Sequence, residues 1–270
     1  MGARTQAFGR RIGRMALLIG CALFLGPLAA STAHAESGAA RAETVRFCYN
    51  VWEPYAYRDG DALTGVSIAI LREAAKRAGL AAEFVEYPWN RCLQSVRDGE
   101  IDAIMDAAER AEFLQGPTSY SAYSNTFWVA SDSAIATFSF EALRGRTVGL
   151  VKGYSYPDDL LNGLKTAEAA IDYAVDDQAN IRKLAFGRVD AIVADHVSTL
   201  WFAGRNNLKV RALAPDHSSD PLYPSFSQKR PDLHGRIEGA LRDMMDDGTV
   251  KRMYSTHVHI PDAAKAGRSK

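Results

Sequence analysis

The stretch GRVDAIVAD, from Gly187 to Asp195, repeats almost word for word what GEIDAIMDA says from Gly99 to Ala107, and the two glycines stand 88 positions apart. Each copy follows a helix-like run, CLQSVRDG in one case and IRKLAFG in the other. Each then reads Gly, one charged residue, a β-branched residue, Asp, Ala and Ile. A glycine after a helical run supplies the left-handed position that ends a helix. The apolar residues after it suit a strand buried on both faces of a parallel sheet. The echo therefore predicts two α/β units built on one joint, helix to glycine to central strand. In open α/β sheets ligands sit outside the carboxyl ends of strands. Those ends fall at Asp106 to Arg110 in one unit and at Asp195 in the other.

Outward from these joints the chain alternates strand and helix. TVRFCYN is a strand, GVSIAILREAAKRAG a helix with an apolar face, AAEFVEYP a strand, NRCLQSVRDG a short helix and TFWVASDS a further strand. The pattern restarts at Thr147–Val151, with a helix opening at Pro157, a strand IDYAVDD and a helix QANIRKLAFG. After the second echo come a helix HVSTLWFAGR, a strand LKVRAL, a Pro-rich loop DHSSDPLYP, a strand YPSFSQ and two closing helices. Strand-helix alternation implies parallel-rich sheets flanked by helices.

The first 35 residues stand apart. Arg4, Arg10, Arg11 and Arg14 precede an apolar run from Met15 to Leu28, and Ala33-His34-Ala35 offers the small residues of a cleavage site. This predicts a signal peptide removed after Ala35. Lipidation at Cys21 is the alternative, against which the apolar run continues past the cysteine. Without those 35 residues the charge is (32 − 4) − 32 = −4, no footprint for nucleic acid. After Leu28 no second long apolar run follows. Cys48 and Cys92 remain in an oxidising compartment, as a disulfide or as two buried thiols. The sequence holds no HExxH, Walker, GxSxG, GxGxxG or CxxC motif. His257 and His259 sit two apart near the tail, which on a helix sends them to different sides, so no metal or cofactor is expected.

The stretch EPYAYRDGDALTGVSIAILREAAKRAG resembles the opening of bacterial extracellular solute-binding proteins of family 3, with Tyr55, Leu63, Thr64 and Gly65 matching its pattern. PWNRCL, ERAEF, LRGRTVGLVKGYSY, both echoes and the closing YPSFSQKRPDL and DDGTVKRMY resemble it in the same order. The resemblance implies a two-lobed periplasmic-binding-protein fold of type II, with one lobe at 44–130 plus 223–262, the other at 131–222 and a tail at 263–270. TFWVASDS and YPSFSQ would be the crossing strands of a hinge. It implies a periplasmic monomer that hands a small polar ligand, an amino acid or related carboxylate, to an ABC permease in the inner membrane, without catalysis. In that frame Arg110 grips a carboxylate, with Ser155 and Tyr154 adding donors at a helix N-terminus. Asp195 meets an ammonium or caps the following helix. Tyr55, Trp52 and Trp89 form walls, and Asp106 contacts a basic group or pairs with Arg110. The loop Asp106-Ala107-Ala108-Glu109 lacks the family's hydroxyl donors, which points to an altered ligand. Two further readings use the same scaffold. One is a cyclohexadienyl dehydratase with Asp106 or Glu109 as acid. The other is a sensor domain, disfavoured by the lack of a membrane segment at the end of the sequence.

Overall fold

The computed structural model describes residues 42–258. The predicted leader, Cys21 and the tail from 263 lie outside the described residues. The described residues open with β1 (Thr44–Tyr49), the hairpin β2 (Tyr57–Asp59) and β3 (Ala62–Thr64), α1 (Val66–Arg77), β4 (Ala81–Glu86), α2 (Trp89–Asp98) and β5 (Ala103–Ala107). A long strand, β6 (Ser121–Ala130), leads to β7 (Thr147–Val151), α3 (Asp158–Thr166), β8 (Ala170–Ala174), α4 (Asp177–Ala185) and β9 (Ala191–Ala194). The chain then forms α5 (His196–Arg205), β10 (Val210–Ala212), β11 (Ser218–Phe226), α6 (Pro231–Asp246) and α7 (Thr249–His257).

The main sheet runs β4-β1-β5-β11-β6-β9-β7-β8, with β10 added to β6. Its two ends are parallel: β1 pairs with β4 and β5, and β7 with β8 and β9. Its middle is antiparallel, where β11 meets β5 and β6, and β6 meets β9. The two echoed segments thus occupy matching places. β5 and β9 each lie between a parallel neighbour and an antiparallel crossing strand. Gly99 (φ 75°) and Gly187 (φ 67°) both take the left-handed conformation expected of them. All four residues of β9 are buried, as are all of β5 except Asp106.

Several boundaries differ from the sequence reading. The loop DHSSDPLYP contains most of β11, because pairing to β6 from Ser218↔Asn125 to Leu222↔Ser121 overrides its turn-like composition. The segment read as one strand from Ile171 to Asp177 ends at Ala174, and Asp176 caps α4 through the Ala179 amide at 2.7 Å. Pro157 stands at the cap of α3, not in its first turn, which holds Asp158 and Asp159 instead. Those two acids already complement the helix dipole, so this N-terminus is a poor anion site.

Apolar cores lie on both sides of the crossing strands. Phe47, Ile68, Leu71, Phe226, Leu233 and Ile237 centre one cluster, and Phe127, Leu143, Leu150, Leu160 and Val193 another. Cys48 and Cys92 form a disulfide between β1 and α2, with Cα atoms 5.6 Å apart. No helix among the described residues is long and apolar enough to cross a membrane.

Candidate functional site

A cleft enclosing about 600 Å³, open solvent at its mouth included, lies at the carboxyl ends of β1, β5 and β7. Its lining from one half includes Asn50, Trp52, Trp89, Asp106 and Arg110, and from the other Tyr154 and Ser155. The crossing strands add Tyr123, Asp220 and Leu222. This is where the topology of an α/β sheet places ligands.

Aromatic rings form its arc. Trp89 meets Tyr154 edge-on at 5.5 Å, Tyr154 meets Tyr123 at 5.8 Å, and Tyr123 lies 6.0 Å from Trp52. Trp52 stacks on Tyr55 at 3.9 Å. Tyr55 is thus one layer behind the wall that Trp52 forms. The turn that holds both rings explains Gly65: a Cβ there would stand 2.1 Å from the Tyr55 carbonyl oxygen. That carbonyl accepts the Ser67 amide at 3.0 Å, so the turn caps α1 in place of a side chain.

Arg110 reaches across the cleft. Its Nη2 donates to the Gly153 carbonyl at 2.7 Å, an oxygen that also accepts Trp89 Nε1–H at 3.0 Å. Nη1 lies 3.8 Å from Glu112, while Nε is buried without a hydrogen-bond partner. Burial holds the guanidinium pKa below its usual value. Gln115, which the sequence reading passed over, fixes this loop: its Oε1 accepts the Arg110 amide at 2.8 Å and its Nε2 donates to the Ala108 carbonyl at 2.9 Å.

Asp106 bonds to neither Arg110 nor Glu109. It takes a left-handed φ of 50° and accepts Ser67 Oγ–H at 2.9 Å and Ser121 Oγ–H at 2.5 Å. The hydroxyls missing from its own loop therefore arrive from α1 and β6. Burial raises its pKa to about 6, against the pull of those hydroxyls. Asp195 caps α5 through the Ser198 amide at 2.8 Å, accepts the Ser124 amide at 3.1 Å and faces the Tyr55 hydroxyl at 3.4 Å. It is 1% exposed and stands behind the cleft wall, and burial likewise raises its pKa to about 6.

Asp177 escaped the sequence reading because its segment looked like the end of a strand. As the first residue of α4 it accepts the Tyr123 hydroxyl at 3.1 Å and the Tyr154 hydroxyl at 2.8 Å, and burial raises its pKa to about 7. The signal available was the acid pair Asp176-Asp177 opening a helix directly after a strand. Among the described residues no group of three or more His, Cys, Asp or Glu side chains could hold a metal ion.

The sequence pattern of the bacterial extracellular solute-binding proteins, family 3, matches residues 45–259. The chain belongs to this family. A probable amino-acid ABC transporter-binding protein of Haemophilus influenzae is 26% identical over 249 residues, 88% of this chain and 95% of that one. An ancestral arginine-binding protein bound to arginine superposes with a TM-score of 0.72 at 22% identity, over 81% of this chain and 100% of the other. The ancestral amino acid-binding protein AncCDT-1, a precursor of cyclohexadienyl dehydratase, gives 0.68 at 22% identity, over 80% and 95%. These likenesses establish the periplasmic-binding-protein fold for this family 3 member.

Proposed function

We propose that this family 3 protein is a periplasmic receptor that captures an amino acid or related carboxylate for an ABC importer. The leader is cleaved after Ala35, and the monomer delivers its ligand to an inner-membrane permease. Residues 44–130 with 223–262 form one lobe and 131–222 the other. They close by bending at β6 and β11, the two strands that cross the middle of the sheet. The observation that carries this reading is Arg110: a half-buried guanidinium in the cleft, bonded to the opposite side through Nη2, with its buried Nε lacking an acceptor. A ligand carboxylate supplies that acceptor bidentately. Ser155 flanks the same anion end, Trp52 and Trp89 enclose the apolar part, Tyr154 stands with Tyr123 on the wall beside Asp177, and Asp106 faces the ammonium. Asp195 acts from behind, holding Tyr55 and α5 in place. The protein binds and releases its ligand without a covalent step.

A thermal-shift panel of amino acids, short carboxylates and prephenate tests this. A ligand at about a hundred times its Kd adds ~2.7 kcal/mol, on the order of 5–10 °C at this size. Wild type is expected to respond to an amino acid, and Arg110→Ala to lose the response. Equal shifts in both proteins, or none in either, overturn the carboxylate assignment. Consumption of prephenate on incubation overturns the reading as a pure receptor.

A further inference from the structure

A tyrosine hydroxyl carries one hydrogen and two lone pairs. Tyr123 and Tyr154 both line the cleft, and both spend that hydrogen on the same carboxylate, at 3.1 and 2.8 Å. While Asp177 is ionised, what their oxygens can still present to a ligand is therefore acceptor capacity only. We propose that Asp177 is a positioning residue that sets selectivity: by taking both hydroxyl hydrogens it turns this wall of the cleft into an acceptor surface suited to a ligand whose far end is an ammonium or guanidinium. The proposal rests on the receptor reading above and names the class of ligand for that same site.

The charges nearby favour such a ligand. Among the described residues that line the cleft, Arg110 is the one cation, while Asp106 and Asp220 line it and Asp177 and Asp195 stand behind it. One guanidinium satisfies one ligand carboxylate and leaves the acidic groups in excess. The rings of Trp52, Trp89, Tyr123 and Tyr154 attract a cation through their faces as well. Arg110 comes from the loop after β5, whereas Asp177 opens α4 in the other half. A ligand with a carboxylate at one end and a cation at the other spans the two.

The arrangement also sets a pH response. The groups facing Asp177 are Tyr123, Tyr154 and Tyr156, and the charged neighbours bearing on it are Asp195 and Asp176, both acids. Burial first, then Asp195, hold its carboxyl at about 7. A ligand cation favours the ionised form, so below that pH binding must expel a proton. Affinity for a cationic ligand then rises with pH up to the region of 7 and levels off above it.

The experiment is calorimetric titration of wild type, Asp177→Asn and Tyr154→Phe with two matched pairs, arginine against citrulline and lysine against norleucine, one pH unit either side of that midpoint. Wild type is expected to prefer the cationic member by at least about tenfold, the equivalent of one pKa unit, and more strongly at the higher pH. Asp177→Asn should erase most of that preference and its pH dependence while binding the neutral member as wild type does. Tyr154→Phe should lose part of it. A wild type that binds amino acids but prefers neutral or acidic ones overturns this inference and leaves the receptor reading standing; no amino acid binding at all overturns both. Equal weakening toward every ligand in Asp177→Asn reduces Asp177 to a structural group and overturns the inference. If that variant does not fold, an unchanged preference in Tyr154→Phe or a flat wild-type pH profile overturns it.

Discussion

The two echoed joints share a frame but are fastened differently. Cys92 in α2 and Asn180 in α4 each stand seven residues before the joint glycine, Gly99 or Gly187. The sheet register matches too: Cys48 pairs with Ile104 where Gly149 pairs with Ile192. In the first half a disulfide ties α2 to β1. At the matching place in the second, Asn180 Nδ2 donates to the Gly149 carbonyl at 3.2 Å and to that of Val193 at 3.3 Å. Gly149 makes room for this, since a Cβ there would stand 2.2 Å from Asn180 Oδ1. One position in the fold has two solutions, a covalent staple and an amide wedged into the sheet. The fold requires the helix to be tied to its strand there and does not specify the chemistry.

The largest test of this parallel removes the staple. Replacing Cys48 and Cys92 together by serine should lower stability by about 4 kcal/mol, from the loop entropy of a 44-residue separation. Hydrogen exchange should show α2 and β1 loosening before α4 and β7; uniform loosening would mean the two halves do not hold their helices independently. Asn180→Ala should cost less, about 1–2 kcal/mol by denaturant unfolding. Its Oδ1 is already buried without a donor, which offsets part of what the amide contributes. A loss as large as that of the disulfide would break the parallel. The smallest effect compares the glycines. Gly187→Ala meets open space and should cost about 1 kcal/mol for its left-handed φ alone. Gly99→Ala should cost slightly more, because its Cβ would stand 2.6 Å from Lys229 Cδ and displace a side chain whose Nζ caps the Asp98 carbonyl at 2.6 Å. Equal losses would show that Lys229 moves aside freely.

Beyond the joints the halves diverge, and legibility diverges with them. Asp106 and Arg110 were readable because they lie at and just after a strand end in plain sequence. The fates of their side chains were not: Asp106 is held by Ser67 and Ser121, which come from α1 and β6. Asp195 was legible both as a cap and as an acid near the cleft, and the structure gives it the first role with its oxygens taken by amides. Tyr55 was singled out by its place after Pro54, yet Trp52 forms the wall in front of it. Asp177 was invisible because its partners, Tyr123 and Tyr154, lie 54 and 23 residues away. The first part of β11, Ser218 to Leu222, was hidden because turn-rich composition is a local signal and pairing to β6 is not.

By itself the sequence determined the alternation of helix and strand, the doubled joint, the family and the strand ends at which a ligand would sit. Those follow from periodicity and from glycine's tolerance of positive φ, which act within a few residues. Only the tertiary structure decided that the sheet's middle is antiparallel, that the two cysteines are joined, and that two tyrosines turn their hydroxyls toward Asp177. Each of these depends on which distant groups share a desolvated space, where a hydroxyl hydrogen must find an acceptor and a buried carboxyl must find donors.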